Sequence, residues 1–507
     1  MPYAIDETHD PNLESWVESA NDPETDFPIQ NLPLCTIYND RTETYQRADD
    51  EHRFVLGDLQ GVGAVLIGDQ VLDLMGADRA GLFDPSYYSD LLSDDDRVAM
   101  ENQNPRGLAT NWAWVESASS LRDAASQWQH DPFPETQSIG LLRKMVSRML
   151  RRDGSELSKR AQDADILLPA DKALFRNIIT DRFVGVGNYT DFYASVYHAT
   201  NVGSMFRPDN PLLPNYKWIP VGYHGRASSV VPSGTPIRRP SGQLSPAEEG
   251  GAPSFGPCKL LDYELELGVV MGRGNKLGET IPIGEAEDHI LGVCLLNDWS
   301  ARDMQKWEYV PLGPFLAKSF ATSVSPYLVT MEALAPFRTP AMKRPAGDPK
   351  PLPHLFDEHD QAHGGIDITM EVLLASKQMR DKSMDPIRLS KGSFKDMYWT
   401  IAQMVTHHAS NGCNMQPGDL LGSGTVSGPT RDARGCLLEL TWDGDPFAKE
   451  PKRVPGTQRT PIALPTGETR IFLGDHDEVI LKGYCQRDGY RRIGLGECRG
   501  VIEPSPG

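Results

Sequence analysis

The stretch that decides the reading of this chain is Leu260-Leu-Asp-Tyr-Glu-Leu-Glu-Leu267, taken with Asn297-Asp-Trp-Ser-Ala-Arg-Asp-Met-Gln305. Glu264 and Glu266 stand two apart in a segment that alternates polar and apolar residues. On a strand, side chains at i and i+2 share a face. Two bare carboxylates held side by side repel unless a cation lies between them. Asp298 follows a second apolar run, Ile290-Leu-Gly-Val-Cys-Leu-Leu296, which predicts a buried strand. Carboxylates converging from strands suit a hard divalent ion such as Mg²⁺ or Ca²⁺. The same alternation would also suit an outward face of solvated acids, and spacing alone leaves both open.

Composition narrows the classes. The chain has 507 residues, 39% of them hydrophobic, which is enough for a large core and two or three domains. A net charge of −20 makes nucleic acid and anionic membranes poor partners. No apolar run approaches the roughly 18 residues needed to span a bilayer, and the first residues show no secretory signal. The seven cysteines include no C-x-x-C pair, so neither zinc nor a disulfide framework is expected. A reducing, cytoplasmic location fits.

Along the chain, residues 1–22 are polar and acidic and predict a flexible tail. Ala64–Leu74 predicts a hairpin turning at Gly68-Asp69. Leu141–Arg152 carries apolar residues at helical spacing backed by basic ones, a stripe expected to pack on its own protein. Beyond Val184 the texture is β-rich, with helical windows at Met304–Tyr309 and Ser393–Ser410. The expected fold is α+β and mostly β. A small N-terminal SH3-like β-barrel domain with helices (23–185) precedes a large antiparallel β-roll or β-sandwich catalytic domain (186–503).

Asp191 and His198 are seven residues apart, about two helical turns, so both face one site if a helix starts near Thr190. Lys318 lies in an otherwise apolar, proline-stiffened segment and requires a partner or a role. Leu421-Gly-Ser-Gly-Thr-Val-Ser-Gly428 lacks the lysine of a phosphate-binding loop and suits close backbone approach to a small substrate. His407-His408 reads as a buried structural pair. Serine-hydrolase, zinc-protease and dinucleotide motifs are absent.

Long motifs carry a resemblance. They are Asn188–Tyr193, His198–Gly203, Pro220–Ser229, Ser233–Pro240, Leu260–Glu266, Asn297–Asp303, Trp307–Leu316 and Thr406–His408. In them the chain resembles the fumarylacetoacetate hydrolase family, closely from 187 onward and loosely between about 75 and 180. The resemblance implies hydrolysis of a carbon–carbon bond in 4-fumarylacetoacetate to fumarate and acetoacetate, the last step of tyrosine and phenylalanine breakdown. It implies a cytoplasmic homodimer acting on a small molecule. Asp191, Glu264, Glu266 and Asp298 match the family's ligands for Ca²⁺ or Mg²⁺. Lys318 and Thr322 match further metal contacts, although an ammonium cannot ligate a cation and only the backbone carbonyl of Lys318 can. His198 matches the water-activating base and Glu439 the carboxylate that orients it. Arg302, Gln305 and Lys318 match donors to developing negative charge. Tyr193, Arg207, Tyr223, Gln305, Tyr309 and Thr425 match substrate contacts. Ala317 and Ala321 stand where the family pattern has glycines, and Gly422 where it has alanine. Glu439 falls in the alternating run Cys436–Trp442, which predicts a strand. The competing readings are another metal-dependent superfamily member, such as an oxo-acid decarboxylase or hydratase, and an inactive binding protein. The presence of both His198 and Glu439 favours the hydrolase.

Overall fold

The structure is a computed structural model that describes residues 3–38, 62–91, 135–176, 186–246, 248 and 250–506. Val62–Ile67 and Gln70–Asp73 form the expected hairpin, with Ile67 opposite Gln70 and the turn at Gly68-Asp69. This hairpin is the centre of a five-stranded antiparallel sheet. Leu167–Pro169 lies beside Gln70–Asp73, and Leu34–Tyr38 then Leu174–Arg176 extend the other edge.

The helix Glu135–Leu150 packs on this unit through Leu142, Met145, Val146, Met149 and Leu150, all buried. The basic residues expected on its back are not all solvated. Arg143 is buried, and its guanidinium donates to the carbonyls of Gln30 and Asn31 and to Thr8 Oγ1. Those carbonyls belong to a segment with no regular partner, so the arginine replaces the hydrogen bonds that a sheet would supply.

Two larger sheets follow among the described residues. An eight-stranded mixed sheet contains Tyr189–Phe192, Leu420–Gly422, Leu265–Met271, Ile290–Asp298 and Thr322–Val324 as its central neighbours. A five-stranded sheet contains Ile387–Ser393, Thr369–Ala375, Glu478–Cys485, Ile493–Glu503 and Ile237–Arg238. They share one apolar core, in which Leu265, Leu267, Val269, Val293 and Leu295 meet Met370, Val372, Leu481 and Leu495. The chain is therefore α+β and mostly β, as expected.

Period-two alternation divides the central strands between two duties. Leu265, Leu267, Val269, Val293 and Leu295 point into the inter-sheet core. Val270, Cys294 and Leu296 point the other way, into a second core shared with the N-terminal unit. Glu264, Glu266 and Asp298 have the parity of this second set. Apolar cover from the small unit and the acidic residues thus occupy the same side of the sheet.

Residues 1–22 do not behave as a flexible tail. Thr8, His9, Ser15, Val17 and Ala20 are buried. Ser15 Oγ and Trp16 Nε1 donate to the carbonyls of Leu150 and Met149 at the end of the long helix. Tyr3 Oη donates to Glu287 O, and His9 Nε2 lies 2.8 Å from Glu332 O. Low hydrophobicity misled here because the segment is held mostly by hydrogen bonds rather than by a long apolar run. Removing residues 1–22 is expected to cost roughly 3 kcal/mol or more, since each buried apolar side chain contributes about 1.5–3 kcal/mol and each hydrogen bond about 1. Thermal unfolding of the truncated protein checks this, and an unchanged Tm would restore the flexible tail.

Candidate active site

Register brings the acids together. In the antiparallel ladder Leu265 faces Asn297, so Glu264 lies across from Asp298, and the Asp298 N–H donates to Glu264 O at 3.3 Å. On the other side Gly268 faces Gly422, and Gly422 pairs in parallel with Asp191. One carboxylate oxygen from each of Asp191, Glu264, Glu266 and Asp298 falls within 4.8 Å of the others, and all four residues are buried. Gly422 permits this approach: a Cβ there would sit 2.8 Å from Asp191 Oδ1 and from Glu266 Oε2. At Gly424, φ is +77°, and its N–H donates to Glu266 Oε2 at 2.9 Å. The glycine loop therefore serves close backbone approach, but to a carboxylate.

Positive charge in the nest is one-sided. Lys318 Nζ lies 2.6 Å from Asp298 Oδ2 and 3.1 Å from Glu264 Oε2, and it donates to Ser300 Oγ at 2.6 Å. Arg302 Nη1 lies 2.6 Å from Glu264 Oε1. Burial would raise the Glu264 carboxyl, but Lys318 and Arg302 outweigh it and hold the group well below the usual range. Asp191 and Glu266 are pushed well above that range, first by burial and then by the charges of Asp298 and Glu264, with Asp191 also raising Glu266. Asp191 Oδ1 and Glu266 Oε1 are buried without a hydrogen-bond partner in the protein. Buried oxygens without protein donors, gathered among other carboxylates, form a donor set that fits a hard divalent ion. The Lys318 ammonium pairs with two of the four carboxylates and is no ligand itself. Thr322 Oγ1 donates to Asp298 Oδ1 at 3.0 Å, and Tyr223 Oη to Asp298 Oδ2 at 3.1 Å.

A second group adjoins the acids. The helix Val196–Phe206 starts one residue after Ser195, whose side chain accepts from the His198 N–H. The helix does not begin near Thr190. Asp191 lies on a strand, and His198 reaches the site from the first turn of the helix that follows. His198 Nδ1 is 2.6 Å from Glu439 Oε2. Glu439, fully buried, also accepts from Asn201 Nδ2 at 2.7 Å and from Ser427 Oγ at 2.9 Å. Burial alone would raise its carboxyl, but His198, Asn201 and the Cys436 thiol hold it at about 2. A depressed carboxyl stabilises the fold above its ordinary value, so this contribution is complete above pH 4.5 and fades only as pH falls through about 2. The segment carrying Glu439 is a single helical turn, Leu437–Leu440, and not the strand that its alternation predicts.

The remaining expected residues divide. Tyr193 packs edge-on to His198 with ring centroids 5.2 Å apart, and Gln305 Oε1 accepts from Arg302 Nη1 at 3.1 Å. Thr425 Oγ1 is buried without a protein partner. Arg207 ends the His198 helix with Nη2 donating to Pro211 O and its buried Nε unpartnered. Tyr309 caps the C-terminus of the helix Arg302–Glu308 that carries Gln305, and it is exposed. His407 and His408 are half-buried, with His408 Nε2 2.8 Å from Thr190 Oγ1. The sequence reading missed Asn201, Ser300, Ser427 and Asp262. Asn201 was accessible in principle, since i and i+3 share a helical face with His198, and Asp262 continues the i−2 series of Glu264. Nothing local marks the two serines.

Comparison with known proteins places these residues in a lineage. The family model described as Fumarylacetoacetate (FAA) hydrolase C-terminal matches residues 188–501. Fumarylacetoacetase from Bos taurus is 43% identical over 97% of this chain and 99% of its own length. That of Homo sapiens is 44% identical and that of Arabidopsis thaliana 40%, each over 97% of this chain and 99% of the relative.

Asp298→Ala removes one of four anionic ligands while leaving Lys318 in place. A divalent cation titrated calorimetrically is expected to bind the wild-type protein and to lose roughly tenfold or more in affinity in this variant. Absence of heat in the wild type would contradict the cation site.

Proposed function

Because the chain belongs to the fumarylacetoacetate hydrolase family, we infer that it hydrolyses the carbon–carbon bond of 4-fumarylacetoacetate to fumarate and acetoacetate, closing tyrosine and phenylalanine breakdown. The observation that carries this reading is the buried His198–Glu439 pair set beside four converging carboxylates.

Cleaving a β-diketone by water requires a base for the water, an electrophile for the attacked carbonyl and stabilisation of the departing carbanion. His198, hydrogen-bonded through Nδ1 to Glu439, presents Nε2 as the base and takes a proton from water. Glu439 sets the tautomer and stabilises the imidazolium that forms. The hydroxide adds to the carbonyl, the carbon–carbon bond breaks, and its electron pair leaves as an enolate that is then protonated. Calcium or magnesium held by Asp191, Glu264, Glu266 and Asp298 would polarise the 1,3-dioxygens of the substrate. Thr322 and the backbone carbonyl of Lys318 would be further contacts for such an ion. Arg302, Lys318 and Gln305 supply fixed donors to developing negative charge, already in place before reaction. Tyr193, Tyr223, Tyr309, Thr425 and Arg207 line the approach, with Arg207 suited to a terminal carboxylate. The unpartnered Thr425 Oγ1 and Arg207 Nε support a role in holding a ligand.

The protein acts in the cytoplasm as a homodimer. Seven free cysteines suit a reducing compartment, and among the described residues no helix is long and apolar enough to cross a membrane. Exposed apolar side chains support self-association: Leu312 is 95% exposed, Phe255 78% and Phe315 69%. Trp307 Nε1 donates to Gln243, whose strand partner is Phe255, so Trp307 and Phe255 lie close together. Leu312→Asp is expected to shift sedimentation toward the monomer. A wild-type protein that sediments only as monomer at micromolar concentration contradicts the dimer.

His198→Ala is expected to lower kcat by about 10²–10⁴-fold with cation binding retained. Glu439→Gln costs less alone, and the double variant is little worse than His198→Ala, since residues acting as a unit are non-additive. Loss of fumarylacetoacetate absorbance, followed with and without chelator, measures all three. Near-wild-type kcat in a folded His198→Ala protein would remove the base, and activity surviving exhaustive chelation would remove the cation.

A further inference from the structure

Asp262 is fully buried and lies on the short strand Leu261–Asp262, opposite Ser300. Its carboxylate joins two different parts of the site. Oδ1 accepts from the Leu437 N–H at 2.9 Å, and Oδ2 from the Leu438 N–H at 3.0 Å. Oδ2 also accepts from Arg302 Nε at 3.0 Å, with Arg302 Nη2 at 3.0 Å from the same oxygen. Leu437 and Leu438 begin the one-turn helix Leu437–Leu440, whose third residue is Glu439. That helix has no side-chain cap from its own N-cap residue, Cys436. A single turn cannot hold itself, because nucleation fixes several dihedrals for one hydrogen bond. Its free N–H groups need an acceptor, and the acceptor present is a carboxylate from a distant strand.

Arg302 has two acidic partners, Asp262 and Glu264. Glu264 is one of the four converging carboxylates. Without Asp262 the guanidinium would be drawn toward Glu264 alone, and the turn carrying Glu439 would lose both acceptors at its start.

We propose that Asp262 is a positioning residue that ties the turn bearing Glu439 to the guanidinium of Arg302, so that the His198–Glu439 pair and the oxyanion donor are held in register by one side chain. This rests on the reading of His198 as base and Arg302 as donor. It adds that the two are coupled mechanically, although neither touches the other through a hydrogen bond of its own. Asp262 lies outside the four-carboxylate cluster, and its oxygens are taken up by the Tyr263, Leu437 and Leu438 N–H groups and by Arg302. Its effect passes through Glu439 and Arg302, so it should appear in turnover more than in substrate affinity.

The experiment compares wild type, Asp262→Asn and Asp262→Glu in the full chain. Asn keeps the shape but turns an amide N–H₂ toward donors. Glu keeps the charge but moves both oxygens by one methylene, and it serves if the Asn variant does not fold. Two readouts are taken. The first is the downfield imidazole N–H resonance of His198, identified by its loss in Glu439→Gln, which needs no substrate. The second is kcat and KM for fumarylacetoacetate. The proposal expects the resonance to move upfield or vanish and kcat to fall about 10–100-fold, as for other supporting partners of a site, with KM within about threefold. It also expects Glu439→Gln to cost much less in the Asp262→Asn background than in wild type. A folded variant whose resonance and kcat match wild type overturns the proposal, as does full additivity with Glu439→Gln. A purely structural role would lower Tm while leaving resonance and kcat per folded molecule unchanged, and that too overturns it. If wild type fails to cleave fumarylacetoacetate yet the resonance is lost in the variants, the tie stands and the assigned substrate falls.

Discussion

Four carboxylates buried within 4.8 Å of one another set the terms for the rest of this molecule. Two like charges about 4 Å apart repel by roughly 4 kcal/mol at an effective dielectric near 20, and here several such pairs coincide. The protein opposes that repulsion with rigid elements. Glu266 and Asp298 sit on adjacent, hydrogen-bonded strands, Glu264 immediately precedes the first of them, and Asp191 lies on a strand joined to them through Leu420–Gly422. Lys318 and Arg302 neutralise the Glu264 and Asp298 side. The Asp191 and Glu266 side is left with orphaned oxygens. The asymmetry matters chemically: a full set of internal cations would make a stable, inert core, whereas a partial set leaves a place for a hard ion.

The same sheet that gathers the acids also carries the core. Odd-numbered residues of Leu265–Met271 fill the space between the two large sheets, while on the other side Val270 joins the core of the N-terminal unit and Glu266 joins the acidic cluster. The small unit therefore shares a continuous apolar core with the catalytic sheet, through Val270, Cys294, Leu296 and Leu420. Its cover lies on the same side of the sheet as Glu264, Glu266 and Asp298, which are themselves buried. Low local dielectric strengthens every charge interaction there, and it makes each unpaired polar atom costly. The N-terminal segment fastens this arrangement from outside, reaching from the long helix to the carbonyls of Glu287 and Glu332.

Next to the acids, burial acts differently on the His198–Glu439 pair. Glu439 keeps its charge because three side chains and the imidazole donate to it. An ionised carboxylate on Nδ1 leaves Nε2 free to accept a proton. The two halves of the site thus use opposite solutions to one problem. One carboxylate is fully satisfied by protein donors and orients a base, while others are left unsatisfied and suit a ligand.

Local rules made part of this legible. The i, i+2 spacing of Glu264 and Glu266 determined their common face, because strand geometry repeats every two residues regardless of context. The hairpin at Gly68-Asp69 and the apolar stripe from Leu142 to Leu150 followed from turn chemistry and helical period in the same way. Local rules failed where hydrogen bonds outweighed pattern. Cys436–Trp442 alternates like a strand, but Asp262 accepts from its first N–H groups and it closes into a turn of helix. Residues 1–22 carry no long apolar run, yet Arg143 and the carbonyls of the long helix hold the segment they begin. The sequence by itself determined which residue types were present and which strand face the paired glutamates share. Only the tertiary structure decided that Glu439 meets His198 across 241 residues of chain, and that one lysine and one arginine fall on one side of the acidic nest. Periodicity extends over a few residues, whereas charge pairing between distant strands depends on register and on which backbone groups are left without partners.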